Sequence, residues 1–296
     1  MLGELVSESK ITEESDDRLP VVLVSHAAYL RILAHAARRH DDRIRVVGMI
    51  RTDYKSLGPK TKEAGEIIFR RYPWFSLKVM FFEVFPSILA AARSAISLSP
   101  DMNAPTIRLS EKEKMTTDVG KQKVLSFLEG ILGGEEGGAC VLVSWMAPLI
   151  PKEVLRRFDA SINLHPANLP GAGGYGCWLP IFGDEGYQHA WTVHVMADEI
   201  DKGRILRRFD RPQPKSLWMH QANDPPEQAE ALMNYLCTFQ PKDVETGEDQ
   251  PADASVYTLT TLFKDFDRWY DRTKAKGALR LRMRDVLRIM RNNLRA

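Results

Sequence analysis

The chain has 296 residues, 44% hydrophobic and 27% charged, which excludes a peptide module, a disordered chain and a fibre, and predicts one domain of roughly 200 residues plus an extension. Forty-one Lys and Arg against 39 Asp and Glu give a formal net charge of +2, too small to imply a polyanionic partner from totals, so any basic surface must be local. Cys140, Cys177 and Cys237 are far apart and form no CxxC pair, which speaks against a disulfide framework or structural zinc site and for a reducing cytoplasm.

Residues 1–18 carry six acids against two bases and no apolar core, so they read as a solvated acidic tail rather than a targeting signal. From Leu19, LPVVLVS has the continuous apolar character of a buried parallel strand, and a helix is predicted from Ala27 to His40. IRVVGMI (Ile44 to Ile50) is the next strand. A long connection follows, with a helical insertion over about residues 55–100, helices around Pro73 and Pro86, and a strand near Ala104 to Leu109. Its most apolar stretch, Val79 to Ala92, is interrupted by Glu83 and Pro86 and is shorter than the roughly 20 residues that span a bilayer, so it reads as a core or interface helix. GGEEGG (Gly133 to Gly138) is a flexible turn before the strand CVLVSW (Cys140 to Trp145), and Pro151 suits a helix start. ASINLH (Ala160 to His165) and AWTVHVM (Ala190 to Met196) complete the strands. The alternation predicts a doubly wound, mostly parallel α/β sheet, with functional residues at the carboxyl ends of its strands.

After Phe209 the texture changes. DRPQPK and NDPPEQ read as proline-punctuated turns, Glu227 to Cys237 as a helix, and QPKDVETGEDQPAD (Gln240 to Asp253) as a polar linker leading to helical sequence. The chain thus divides into the tail, a catalytic domain over 19–210 and a mainly helical C-terminal extension over 211–296. From Lys274 to Ala296 eight bases face the single acid Asp285, with Leu279, Met283, Val286, Met290 and Leu294 on one helical stripe and Arg280, Arg284, Arg288, Arg291 and Arg295 on a neighbouring one. The basic stripe reads first as a solvated face; nucleic acid, an anionic lipid surface and a phosphorylated substrate are the other readings. The apolar stripe needs a cover, either the chain's own core or a second subunit in a homo-oligomer.

The densest chemistry lies in SINLHPANLPGAGGYG (Ser161 to Gly176). Strand alternation puts Asn163 and His165 on the same face, so that an amide donor and an imidazole stand together at a carboxyl edge, where they can polarise a carbonyl and manage a proton. A lone NxH is as compatible with a capped strand end. The second segment, HAWTVHVMADEIDKGRIL (His189 to Leu206), adds a strand ending in an acidic loop with Asp198, Glu199 and Asp201.

Together these segments resemble the 10-formyltetrahydrofolate-dependent formyltransferases, which include glycinamide ribonucleotide, methionyl-tRNA and sugar-nucleotide formyltransferases. The family pattern is matched in order by Asn163, His165, Leu169, Pro170, His194, Asp201, Gly203 and Ile205. SWMAPLIPKEVL (Ser144 to Leu155) is similar to the family's stretch that meets the pterin ring. The motif resemblance runs from about Ala139 to Leu206; from Leu19 to Ile50 only the fold pattern agrees.

The resemblance implies a Rossmann-like formyltransferase domain with 10-formyltetrahydrofolate as formyl donor and no metal. It implies that Met146, Ala147, Pro148 and Leu149, with Ala197, Asp198, Glu199 and Ile200, hold the pterin, and that Asn168, Gly173, Gly174 and Tyr175 line the acceptor site. Asn163 would donate to the oxyanion, His165 would stabilise it and help the proton from the attacking amine to the leaving folate nitrogen, and Asp201 would orient His165 or a water. The arginine that family members carry after Leu-Pro is replaced by Gly173, and the first strand ends in Ser25 and His26 rather than a glycine-rich turn, so a phosphate-bearing acceptor is not indicated. A small amine such as an amino sugar or amino acid is the acceptor expected. Methionyl-tRNA suits the basic terminal stripe, but the helical texture after Asp210 does not match the barrel that tRNA formyltransferases append. Formyltetrahydrofolate hydrolysis and non-catalytic folate binding are the remaining alternatives.

Overall fold

A strand whose successive residues are all apolar must be covered on both faces, because alternation sends half of its side chains to each. The computed structural model describes residues 16–53, 70–74, 76, 104–133, 140–174, 181, 186–214, 217–254, 256–257, 259–277 and 279. In it β1 (Leu19–His26) is such a strand, with Val21, Val22, Leu23 and Val24 wholly buried. α1 (Ala27–Arg38), β2 (Ile44–Thr52), β3 (Thr106–Leu109), α2 (Asp118–Leu132), β4 (Val141–Trp145), α3 (Lys152–Leu155), β5 (Ala160–His165), β6 (Gly173–Gly174), β7 (Ala190–Val195), β8 (Ile205–Asp210), α4 (Leu217–Leu236), β9 (Val256–Tyr257) and α5 (Leu259–Ala275) follow.

Seven strands form one sheet in the order β3-β2-β1-β4-β5-β7-β8. The pairs from β3 to β5 are parallel, and β7 and β8 add antiparallel. The chain leaves β1 toward β2 on one side and reaches β4 on the other, so the crevice where α/β sheets bind ligands opens at the carboxyl ends of β1 and β4. β5 lies beside β4 and carries Asn163 and His165 to that rim.

Helices cover both faces. On α1, Leu30, Leu33, Ala34 and Ala37 recur at helical spacing and pack with α4 residues over Val21, Leu23, Val143, Ile162 and Leu164. On the other face Val124 and Leu128 of α2 cover Val22, Val24, Ile50 and Leu142. α2 is fixed at both ends: Thr117 Oγ1 accepts the Gly120 N–H at 3.2 Å, and Gly133 at φ 71° closes the C-terminus.

α4 begins ten residues before the predicted Glu227 and runs through Pro225 and Pro226, which read from sequence as a turn. Each proline removes a helical N–H bond, but the turns beyond them bury Ala229, Leu232, Met233 and Leu236 against α1, and the Gln228 side chain accepts the Trp145 indole N–H at 2.9 Å. Tertiary burial therefore overrides the local signal, and the chain beyond 210 completes one layer of the main core. α5 packs beside residue 72: Tyr72 meets the rings of Phe266 and Tyr270 and donates to Asp267 at 2.5 Å. Burial, then Asp267, pushes the Tyr72 hydroxyl up to about 12.

Residues 1–15 of the expected tail, the insertion over 55–69 and 77–100, the turn at 134–138 and nearly all of the basic terminal helix lie outside the described residues. Among the described residues no helix is long and apolar enough to cross a membrane, and no group of three or more His, Cys, Asp or Glu could hold a metal.

Because Met233 is wholly buried between α4 and the sheet, Met233→Ala should cost about 2–5 kcal/mol. Urea unfolding followed by fluorescence and circular dichroism should show a single transition at lower denaturant; two separated transitions would show that α4 is not part of the sheet's cooperative unit.

Candidate active site

In β5, Ile162 and Leu164 point into the core under α1 and α4, which leaves Asn163 and His165 on the opposite face. The antiparallel register sets His194 of β7 directly across from Asn163, and Ser144 of β4 lies across from it on the other side. An amide and two imidazoles thus come together through strand pairing alone.

The acid arrives from the loop between β7 and β8. A Cβ on Gly203 would lie 1.9 Å from the Val195 carbonyl oxygen, so only glycine lets the returning chain press against the end of β7. Asp201 sits at φ 54°, a left-handed conformation that Asp and Asn tolerate better than most residues. This turn directs its carboxylate back under the sheet edge, where Oδ2 accepts the Gly174 N–H at 2.7 Å and lies 3.3 Å from His165 Nδ1, while Oδ1 lies 3.4 Å from His194 Nε2.

The loop is also held from outside. Gln250 Nε2 donates to the carbonyls of Asp201 at 2.8 Å and Gly203 at 2.6 Å, and Ile205 and Glu248 exchange backbone hydrogen bonds of 2.8 Å. Thr192 Oγ1 accepts the Leu169 N–H at 3.1 Å and donates to the Ala167 carbonyl at 2.8 Å, shaping the loop that follows His165. Sequence reasoning missed Gln250, a polar residue in what reads as a linker, because a side chain that holds two distant carbonyls has no local signature.

Hydrogen-bond partners fix the proton positions. His165 Nε2 is 2.7 Å from the Ala172 carbonyl, which can only accept, so Nε2 carries a proton and the Nδ1 edge toward Asp201 is the one that titrates. His194 Nδ1 likewise donates to the Val195 carbonyl at 2.8 Å, and its Nε2 faces both Asn163 Nδ2 at 3.0 Å and Asp201 Oδ1 at 3.4 Å. The Asn163 amide nitrogen has a second N–H to offer.

Burial disfavours the imidazolium and pushes the His165 pKa down, against the attraction of Asp201. Burial would raise Asp201, but the two imidazoles and the Gly174 N–H outweigh it and hold the carboxyl well below the usual range. The site is a nearly dry, ionised acid paired with a histidine that can gain or lose a proton at one defined nitrogen.

The expected pterin residues fall on two neighbouring loops. Met146, at φ 51°, turns the chain sharply out of β4; Met146, Leu149 and Ile200 are 40%, 50% and 46% exposed, while Pro148 is buried and Ala147 half-buried. Ala197, Asp198 and Glu199 are exposed, and Asp198 pairs with Lys152 of α3. Among the expected acceptor residues, Asn168 turns its Nδ2 to the Gln188 carbonyl at 3.2 Å, and Gly173 and Gly174 form β6, paired with β9. Gly174 thereby serves the site through its bond to Asp201. Tyr175 lies outside the described residues, as does Cys177.

No family model matches the chain, and no curated protein does. Among solved structures, a sugar N-formyltransferase from Shewanella sp FDAARGOS_354 is 14% identical over 93% of this chain and 87% of its own, with a TM-score of 0.47. The formyltransferase PseJ from Anoxybacillus kamchatkensis, solved with a formamido UDP-sugar and tetrahydrofolate, is 17% identical over 55% and 79%, with a TM-score of 0.38. Glycinamide ribonucleotide transformylase 1 from Geobacillus kaustophilus is 17% identical over 77% and 98%, with a TM-score of 0.40. At identities this low a similar chain path says nothing of substrate, so the functional reading rests on the side chains described above.

Two outcomes follow from this geometry. Gln250→Ala leaves the Asp201 and Gly203 carbonyls without that donor, at a cost of about 1–3 kcal/mol; the variant should stay folded by circular dichroism with a lower melting temperature, and an unchanged melting temperature would contradict the role given to Gln250. The Asp201 pKa is lower in the native state than the value of about 3.9 of the unfolded chain, so its stabilisation is present above that pH and is lost as pH falls toward the native pKa. Asp201→Asn should therefore flatten the acid limb of stability against pH below about pH 4; an acid limb as steep as the wild type's would contradict it.

Proposed function

We propose that this chain is an enzyme that transfers a formyl group from 10-formyltetrahydrofolate to the amine of a small acceptor, such as an amino sugar or amino acid. The observation that carries the reading is the convergence of Asn163, His165 and Asp201 at the carboxyl end of β5, with His194 buried beside them. Acyl transfer needs a preorganised donor for a developing oxyanion and a group that passes a proton, and this cluster holds both where little water reaches: His165 and His194 are 4% and 2% exposed.

The second Asn163 N–H is the donor for the carbonyl oxygen under attack. His165 Nδ1, backed by Asp201, takes the proton that an amine gives up on attack and returns it to the leaving nitrogen, directly or through a water. Asp201 keeps that charge change affordable inside the protein, since an imidazolium formed at Nδ1 meets a carboxylate already in place. Met146, Leu149 and Ile200, exposed and apolar on neighbouring loops, suit a flat aromatic ring, and these residues would hold the pterin. When bound, the folate supplies a formyl group already activated on nitrogen. No serine or cysteine nucleophile enters this scheme.

Activity is tested by incubating the protein with 10-formyltetrahydrofolate and a panel of amino sugars and amino acids while measuring tetrahydrofolate release and formylated amine. Release that depends on an amine supports transfer, release without one means hydrolysis, and folate binding without release means a binding protein. Asn163→Ala, His165→Ala and Asp201→Asn should each lower turnover by about a hundredfold or more while folate binding is kept; near-wild-type turnover in any of them would overturn the assignment of that residue.

A further inference from the structure

A second cluster of reactive groups lies at the other end of the sheet, where α1 runs into β2. His40 follows α1, and its Nε2 is 2.9 Å from Glu230 Oε1 of α4. Glu230 is also paired with Arg39, and although burial opposes it, Arg39 and His40 hold its carboxyl below the usual range. A carboxylate can only accept, so the Nε2 proton is given to Glu230, and in the neutral ring Nδ1 is then the lone-pair nitrogen. That nitrogen lies 3.5 Å from Sγ of Cys237, one residue past the end of α4, within reach of a thiol donor.

We propose that Cys237 is a nucleophilic thiol, with His40 as its base and Glu230 orienting that base, and that it reacts with small disulfides. A nucleophile, a base within hydrogen-bond reach and a third group that fixes the base is the arrangement that activated thiols use. Cys237 and His40 are only half-buried, so a small electrophile has access. Burial pushes the Cys237 thiol up from its ordinary value, with Asp42 and Glu230 adding to the rise and Arg43 opposing it, so a resident thiolate does not account for the chemistry and a base is needed at the moment of attack. Cys140 is the contrast within the same chain: it is buried, and desolvation followed by Asp159 pushes its thiol up to about 11.

In the reaction the Sγ proton passes to His40 Nδ1 while the sulfur attacks one sulfur of the disulfide. A Cys237 S–S bond forms, the original S–S bond breaks, and the departing thiolate takes up the proton from His40 or from water. The small disulfide is the oxidant: the Cys237 sulfur is oxidised to the disulfide level, and one sulfur of the reagent leaves reduced as a thiol.

The full-length protein is treated with a small aromatic disulfide at neutral pH and quenched with acid at intervals, and the mixed disulfide on each of the three cysteines is measured by peptide mass spectrometry. Cys237 should react well before Cys140, and His40→Gln should slow its reaction about tenfold or more without lowering the melting temperature. Equal rates at Cys237 in wild type and His40→Gln, or no reaction at Cys237 in the folded protein, would overturn the proposal. Should His40→Gln fail to fold, Glu230→Gln provides the same comparison: slowing at Cys237 alone supports the relay, and an unchanged rate overturns it.

Discussion

The candidate site depends on one close approach. Gly203 lies so near the Val195 carbonyl that any side chain would collide with it, and this contact fixes where the chain turns back from β7 to β8. Asp201, two residues earlier in the left-handed region, is thereby placed under the edge of β5. Without that turn Asn163, His165 and His194 would still share a face through strand pairing, but they would face solvent without a counter-charge. A carboxylate among two buried imidazoles is costly unless each oxygen finds a donor, and the Gly174 N–H helps to meet that need.

Support for the turn comes from sequence that is remote from it. The segment from Glu248 to Gln250 lies alongside the start of β8 and holds the Asp201 and Gly203 carbonyls from outside, while α4 buttresses β4 through the Trp145–Gln228 bond. Residues beyond 210 thus brace the candidate site from outside, through the Gln228 and Gln250 side chains. At the far end of the sheet, Glu230 of the same α4, Cys237 just past that helix and His40 just past α1 are brought together by the packing of α1 against α4.

Much of this architecture is legible in the amino-acid sequence because burial on both faces leaves a plain mark. Val21 to Val24 is a continuous apolar run, Val141 to Trp145 is broken only by Ser144, and in Ala160 to Leu164 the apolar Ile162 and Leu164 alternate with Ser161 and Asn163; all of them are strands of the central sheet. β8 is harder to see: Ile205 to Asp210 carries Arg207 and Arg208 as an edge strand with a solvated side. α4 is concealed by its proline pair, whose local penalty is outweighed by contacts that no local window contains. Within the site, Asn163, His165, His194, Asp201 and Gly203 stand in a recognisable order, and the structure supplies a physical reason for the glycine that the pattern alone does not. Gln250 and Thr192 act on backbone carbonyls and amides brought close only by folding, so nothing in their neighbourhoods marks them.

The central claim is that Asp201 and His165 form one proton-handling unit whose titrating nitrogen is Nδ1, and histidine 15N NMR of the full chain tests it most directly. Selectively labelled protein titrated in wild-type and Asp201→Asn forms should show a protonated His165 Nε2 throughout, a His165 pKa below the ordinary value of about 6.5, and a further fall when the carboxylate is removed. A His165 that titrates as a free imidazole, or whose pKa is the same in both proteins, would contradict it.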